Sequence, residues 1–238
     1  MNIVYEDDFI LVVNKPSGLV VNRSETWKGE TLQDKLEDFF GLEDAGVGER
    51  AGIVHRLDKE TSGLLLVAKD EDTFSFLQQQ FKQRQVRKMY LALVHGKVEE
   101  ERFIVDAAIA RNPQDSMKFA VVEDGREAVT TFEVDERFVK GGEDFTLLRV
   151  FPYTGRTHQI RVHLCALNHP IVSDLRYGGS VRARADREWC NRLFLHAAYL
   201  NFVSLENAHE RMEVTSSLPE DLIACLDLLE SAHGQETA

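Results

Sequence analysis

Gly63 to Ala68 is a near-continuous apolar run of strand length, and it follows without a break on the charged, hydroxyl-rich segment His55-Arg56-Leu57-Asp58-Lys59-Glu60-Thr61-Ser62. A run this short and this apolar reads as a strand buried on both faces. The chain must therefore supply enough neighbouring structure to cover it twice. With 43% hydrophobic residues in 238, it has the material for a sizeable core, and the length suits one domain with modest appendages. A charged loop at the mouth of such a strand is the kind of position at which a rigid scaffold holds reactive side chains.

The flanking sequence is rich in strands. Ile3-Val4-Tyr5 and Phe9 to Val13 read as two strands around an acidic turn, and Asn14-Lys15-Pro16-Ser17-Gly18 as a loop. Thr31 is placed to cap a helix with Leu32, Leu36, Phe39 and Phe40 on its apolar face, and Gly41 to Gly52 reads as a polar loop. Asp70 caps a second helix, with Phe74, Leu77 and Phe81 on one side. Strands are predicted at Tyr90 to Val94, Phe103 to Val105, Phe119 to Val122, Val129 to Val134, Phe145 to Phe151 and Phe194 to Phe202. A helix is predicted from Thr157, with Ile160, Leu164 and Leu167 as its buried stripe and Pro170 as its stop. Another is predicted over Pro219 to Leu229, followed by a frayed polar tail. Many strands with few, irregularly spaced helices define the fold class as α+β, a mixed, mostly antiparallel central sheet with flanking helices and loops.

Charge and cysteine usage narrow the function classes. Lys and Arg number 28 against 40 Asp and Glu, a net charge of −12, which by itself argues against a nucleic-acid partner. The distribution argues the other way. Lys82 to Lys88 is purely basic, Arg156 to His163 carries two arginines and two histidines without an acid, and Arg182, Arg184, Arg187 and Arg192 form a mixed cluster. The alternative is that these are solvated faces. The three cysteines, 165, 190 and 225, are far apart and form no CxxC, as expected of thiols in a reducing compartment. No apolar run is long enough to span a bilayer, and the acidic start MNIVYEDDF does not read as a signal peptide. A cytoplasmic protein without membrane contact is expected.

Two segments carry candidate chemistry. In the first, Asp58 is a candidate nucleophile or base; the competing reading, favoured on residue types alone, is that Asp58 and Thr61-Ser62 only make a turn. In the second, Thr154 to His163, Thr157 at a helix start would offer an anion site, and His158 and Arg161, three apart, share a helix face. An arginine at the edge of a core normally has a carboxylate or phosphate partner. The histidine spacing is not that of a metalloprotease, and no metal or nucleotide-binding glycine motif is present in the sequence.

His55-Arg56-Leu57-Asp58-Lys59-Glu60-Thr61-Ser62-Gly63 resembles the active-site motif of the RluA-type pseudouridine synthases. Asn14 to Gly18, Lys88-Met89-Tyr90, Gly155 to His163, His169-Pro170-Ile171 and Leu195-His196-Ala197 also resemble family segments, in the family's order and at similar separations, over roughly residues 2 to 222. The resemblance implies a catalytic domain over 1–222, with 223–238 as the end of a helix and a tail; many relatives also carry a small N-terminal RNA-binding module, and here no separate one is expected. It implies isomerisation of uridine in structured RNA, without a cofactor or metal, by a monomer. Ribosomal RNA of the large subunit is the expected substrate, since Ala107 to Val122 looks closest to members acting there; transfer RNA is the alternative.

The resemblance also assigns roles. Asp58 acts at ribose C1′ or C2′, Arg161 keeps that carboxylate charged, and Tyr90 packs on the uracil and handles the C5 proton. Arg56 fills the place of the flipped nucleotide, and His55, Thr61, Arg156, His158 and Leu195 complete the substrate contacts. A carboxylate closed off from water drifts toward its neutral form, which is why a paired arginine is needed. Flipping the uridine costs a few kcal/mol, and a planar guanidinium suits the vacated stack. Two positions depart from the pattern: Asn168 and Ser173 stand where glycine is common. A non-catalytic RNA-binding module and a metal-independent hydrolase built on Asp58 are the competing classes. The trio Asp58, Tyr90 and Arg161 is superfluous for the first, and the second lacks a GxSxG or comparable set.

Overall fold

The computed structural model describes residues 1–41, 47, 50–205 and 210–232. In chain order these form β1 (Ile3–Glu6), β2 (Ile10–Lys15), α1 (Leu32–Phe40), β3 (Ser62–Ala68), α2 (Glu71–Lys82), β4 (Arg87–His95), β5 (Arg102–Asp106), β6 (Ile109–Arg111) and β7 (Phe119–Val121). They continue with β8 (Val129–Lys140), β9 (Glu143–Pro152), α3 (Gln159–Ala166), α4 (Ser180–Asp186), β10 (Leu195–Val203), β11 (Arg211–Thr215), α5 (Glu220–Leu226) and β12 (Glu230–Ser231). The class is the expected α+β with mostly antiparallel strands. Most of the loop expected between Gly41 and Gly52 and the polar tail after residue 232 lie outside the described residues. No helix among the described residues is long and apolar enough to cross a membrane.

Residues 1–88 and 197–216 form one compact unit. Here β2 lies between β1 and β3, antiparallel to both, and the 197–203 part of β10 lies beyond β3 and pairs with β11. Every residue of β3 is buried, as the apolar run requires. Leu64 and Leu66 pack with Ile10 and Val12 of β2, Leu77 of α2, and Leu200 and Phe202 of β10. Gly63 is the point of closest approach: its φ is +117°, and a Cβ there would lie 2.2 Å from the Ala197 carbonyl oxygen. Only glycine meets both demands. Thr31 does cap α1, in a capping box with Asp34. The helix buries Leu32 and Leu36, while Phe39 is exposed, so the predicted apolar face holds at the two leucines and fails at Phe39.

Residues 89–196 and 217–238 form the second unit. Its strands run in the order β4-β9-β8-β12, with β5 also on β8, and β6 and β7 make a separate two-stranded ribbon. The β8–β9 hairpin carries a bulge at Val134/Glu136. Leu93 and Val94 of β4, Phe132 of β8, Leu148 and Val150 of β9, Leu164 of α3 and Phe194 build the core.

The third helix departs from expectation. It starts at Gln159, not Thr157, with His158 as N-cap in the left-handed region at φ 56° and no side-chain cap bond. Leu167 is exposed, whereas Arg161, Val162 and His163 are buried with Ile160 and Leu164. The expected C-terminal helix is shorter, Glu220–Leu226 behind Pro219. Helix α4 has no counterpart in the sequence reading: it lacks a capping side chain, and only Ala183 and Asp186 of its seven residues are buried.

Candidate active site

In the first unit, Asp58 stands half-buried at the head of a tight turn, where the Thr61 N–H donates to the Asp58 carbonyl oxygen at 3.2 Å. The turn that Asp and Ser favour is therefore present, and the carboxylate is presented by it. Thr61 and Ser62 are each 2% exposed and root the turn in β3. The Asn14–Gly18 loop is tied to its other side. The Gly18 N–H donates to Lys59 O at 2.8 Å and Ser17 Oγ to Glu60 O at 2.7 Å. Lys15, opposite Gly63 in the β2–β3 register, is 1% exposed. Its ammonium donates to the carbonyls of Pro16 at 2.8 Å, Leu19 at 2.9 Å and Lys59 at 3.1 Å. A buried ammonium costs several kcal/mol unless its lost water is replaced, and three carbonyl oxygens replace it here.

His55 is a fixed part of this scaffold. Its Nε2 accepts the Leu66 N–H at 3.0 Å, and its ring stacks on Phe81 with centroids 4.8 Å apart. Burial, with a smaller contribution from the Lys88 ammonium, pushes its pKa down to about 3, so at neutral pH the ring is uncharged and an acceptor. Burial likewise brings Lys88 down to about 8. Arg56 is exposed, and Lys59 lies over the Trp27 ring, 4.2 Å from its centroid. The basic run 82–88 is therefore not one face: Lys88 is drawn inward beside His55, Val86 is core, and Arg87 is exposed.

In the second unit, Arg161 is 3% exposed and held by Asp174, whose side chain is fully buried; Nε meets Oδ2 at 2.8 Å and Nη2 meets Oδ1 at 2.7 Å. Asp174 Oδ1 also accepts the N–H groups of Arg176 at 2.9 Å and Tyr177 at 3.0 Å. The residue before it, Ser173, is buried at φ 61°. Its N–H donates to Asp186 Oδ2 at 2.9 Å and its hydroxyl to Cys190 O. Both positions where the resembled family commonly carries glycine, Asn168 (φ 62°) and Ser173, thus have left-handed backbone.

The Tyr177 ring lies 5.2 Å from the Arg161 guanidinium carbon, and its hydroxyl is 2.8 Å from His158 Nδ1. Sequence reasoning missed Asp174, Tyr177 and the role of Lys15. An aspartate directly after a residue forced to positive φ was the available signal for the first.

The remaining predicted residues fall as follows. Tyr90 is part-buried on β4 opposite Val150, against the core. Leu195, at 3% exposure, is a core residue. Arg156 is half-buried, its Nε donating to Glu127 O at 2.8 Å. Thr157 is not the helix start on which an anion site was expected: the helix begins two residues later, and Gln159 Oε1 accepts the Arg156 N–H at 2.9 Å. His163 is buried between Thr130 Oγ1 (2.9 Å) and Ala107 O (3.0 Å), and burial lowers its pKa, which marks it as structural. Among the described residues no three His, Cys, Asp or Glu side chains are grouped to hold a metal.

The half-buried Asp58 carboxylate on its scaffolded turn in one unit and the fixed, buried Arg161 in the other are candidate groups for acid–base or nucleophilic chemistry. Comparison with known proteins gives the family. Residues 9–166 match the RNA pseudouridylate synthase family model, and the chain belongs to that family of isomerases. It is 40% identical over 234 residues to an uncharacterized RNA pseudouridine synthase of Mycobacterium bovis, covering 96% of this chain and 73% of that one. It is 38% identical over 248 residues to the ribosomal large subunit pseudouridine synthase D of Xanthomonas campestris, covering 100% and 72%. Among solved structures, the human RNA pseudouridylate synthase domain containing 1 superposes with TM-score 0.76 at 33% identity, over 97% of this chain and 88% of that one.

Proposed function

We propose that this enzyme converts uridine to pseudouridine in large-subunit ribosomal RNA, with Asp58 as the group that acts at the ribose. The observation that carries this is the build of the Asp58 turn: a half-buried carboxylate on a turn bolted to β2 and β3 through Lys15, Ser17 and Gly18. The reaction is balanced within the nucleotide. The bond from C1′ to N1 breaks, the base turns, C5 bonds to C1′, and the C5 proton leaves as N1 gains one. Asp58 either attacks C1′ or takes the C2′ proton, and Arg161 supplies the positive charge that keeps the carboxylate ionised. That second role is assigned from the family resemblance; the guanidinium itself is held in a fixed, buried seat on Asp174. Tyr90 is assigned to base packing and the C5 proton. Exposed Arg56 is assigned to the vacated stack.

The ribosomal substrate is favoured by the named relatives at about this identity in Xanthomonas campestris and Pseudomonas aeruginosa, both ribosomal large subunit pseudouridine synthases D. The test is to incubate the protein with separate large-subunit, small-subunit and transfer RNA fractions from cells lacking it, then map pseudouridine. New sites in the large-subunit fraction alone are expected. New sites only in transfer RNA would replace that substrate with the alternative.

A further inference from the structure

Helix α2 ends at Lys82, and after Gln83 the backbone turns at Arg84 with φ 60°, a left-handed conformation that a helix end normally gives to glycine. The Arg84 N–H donates to Phe81 O at 3.1 Å and the Gln85 N–H to Gln80 O at 2.9 Å, so the strained residue is an integral part of the helix stop. A side chain there works against the backbone, and such strain tends to mark function.

Arg84 lines a cleft of about 480 Å³ together with Arg87 and Arg211, with Gln80, Gln85 and Phe76 among the other walls. Among the described residues no carboxylate lines it. Its walls are fixed. Gln80, 3% exposed, pairs with the backbone of Val203 in both directions, at 2.9 and 2.8 Å. Arg211 donates to Asn201 Oδ1, to Gln85 O at 2.6 Å and to Asn201 O at 3.2 Å. These acceptors are neutral, so they hold the guanidinium in place and leave its charge in force. In a chain of net charge −12, which repels a polyanion as a whole, three arginines on one cleft with no carboxylate among its described lining residues concentrate the opposite field. Guanidinium groups beside a half-buried aromatic ring suit a sugar–phosphate strand with its bases.

We propose that this cleft is a second RNA-binding site, gripping the substrate backbone through phosphates contacted by Arg84, Arg87 and Arg211. The proposal rests on the reading that the substrate is RNA. The test measures binding of fluorescently labelled large-subunit RNA fragments by the full chain across a series of potassium chloride concentrations, alongside tritium release from C5-labelled RNA. Arg84→Gln/Arg87→Gln is expected to reduce the slope of log affinity against log salt by roughly 0.7 to 0.9 per arginine, about 1.5 for the pair, and to raise KM. Arg102→Gln, on β5, leaves the slope unchanged. Arg84→Gly removes charge and strain together, so it should raise the unfolding midpoint while weakening binding, a pairing that a purely structural role would not give. Wild-type slope and KM in the double variant would overturn the cleft while leaving the enzyme reading intact. Absence of tritium release by the wild type from any RNA fraction would overturn both.

Discussion

Asp174→Asn probes how Arg161 is held. In the native chain the Asp174 carboxylate accepts two guanidinium hydrogens at 2.7 and 2.8 Å and two backbone N–H groups at 2.9 and 3.0 Å, with both side chains almost entirely out of solvent. The asparagine has one oxygen where the carboxylate has two, and its NH₂ must face a donor. A buried ion pair broken from one side costs about 3–5 kcal/mol, because a buried charge loses a charged partner. That is a large part of the 5–15 kcal/mol that typically separates folded from unfolded domains. With a urea m-value of roughly 3 kcal/mol/M, the midpoint should fall by more than about 1 M. Urea unfolding followed by circular dichroism measures this, and tritium release should fall as the guanidinium loses its fixed orientation. The Arg161→Met/Asp174→Asn double variant should recover part of the lost stability, since no buried guanidinium remains to miss the Asp174 charge. A single variant within about 0.5 kcal/mol of wild type, the range of ordinary surface changes, would refute the reasoning.

Two further outcomes are expected. Lys15→Met removes the ammonium from the carbonyls of Pro16, Leu19 and Lys59. It should lose about 2 kcal/mol, the lost charge-assisted bonds being partly offset by the end of the ammonium's desolvation, and hydrogen exchange at Lys59 to Thr61 should quicken; unchanged exchange would detach Lys15 from the turn. His55, held near 3 when folded and near 6.5 when unfolded, favours the folded chain above pH 6.5 and progressively less as pH falls toward 3, since only the unfolded chain takes up the proton. His55→Gln should flatten that acid-side loss in unfolding experiments at stepped pH, and an unaltered pH slope would contradict it.

Much of the fold was legible because local signals agreed with packing. The apolar run of β3, the Thr31 and Asp70 caps and the strand pair before Lys15 each form where period and cap residue place them. Failures occur where tertiary contacts override local pattern. Helix α3 starts late because Gln159 takes up the Arg156 N–H and His158 adopts positive φ, which no spacing encodes. The polar surface of α4 carries no period, and Phe39 lies on the predicted apolar face yet reaches solvent.

At the site, motif order pointed to Asp58 and Arg161, but the groups that hold them were hidden. Lys15 reads as a loop lysine until the β2–β3 register places it opposite Gly63. Asp174 reads as a turn residue until its buried pair with Arg161 is seen. The net charge of −12, which set composition against an RNA substrate, says nothing of where arginines collect; Arg84, Arg87 and Arg211 meet only through the packing of α2 with β10 and β11.

The most direct test of the central claim is tritium release from large-subunit RNA labelled at uridine C5, with wild type and Asp58→Asn compared at equal folded concentration. Release by wild type is expected, with none above background from Asp58→Asn, whose RNA binding is retained. Comparable release by both proteins would contradict the assignment of the chemistry to Asp58.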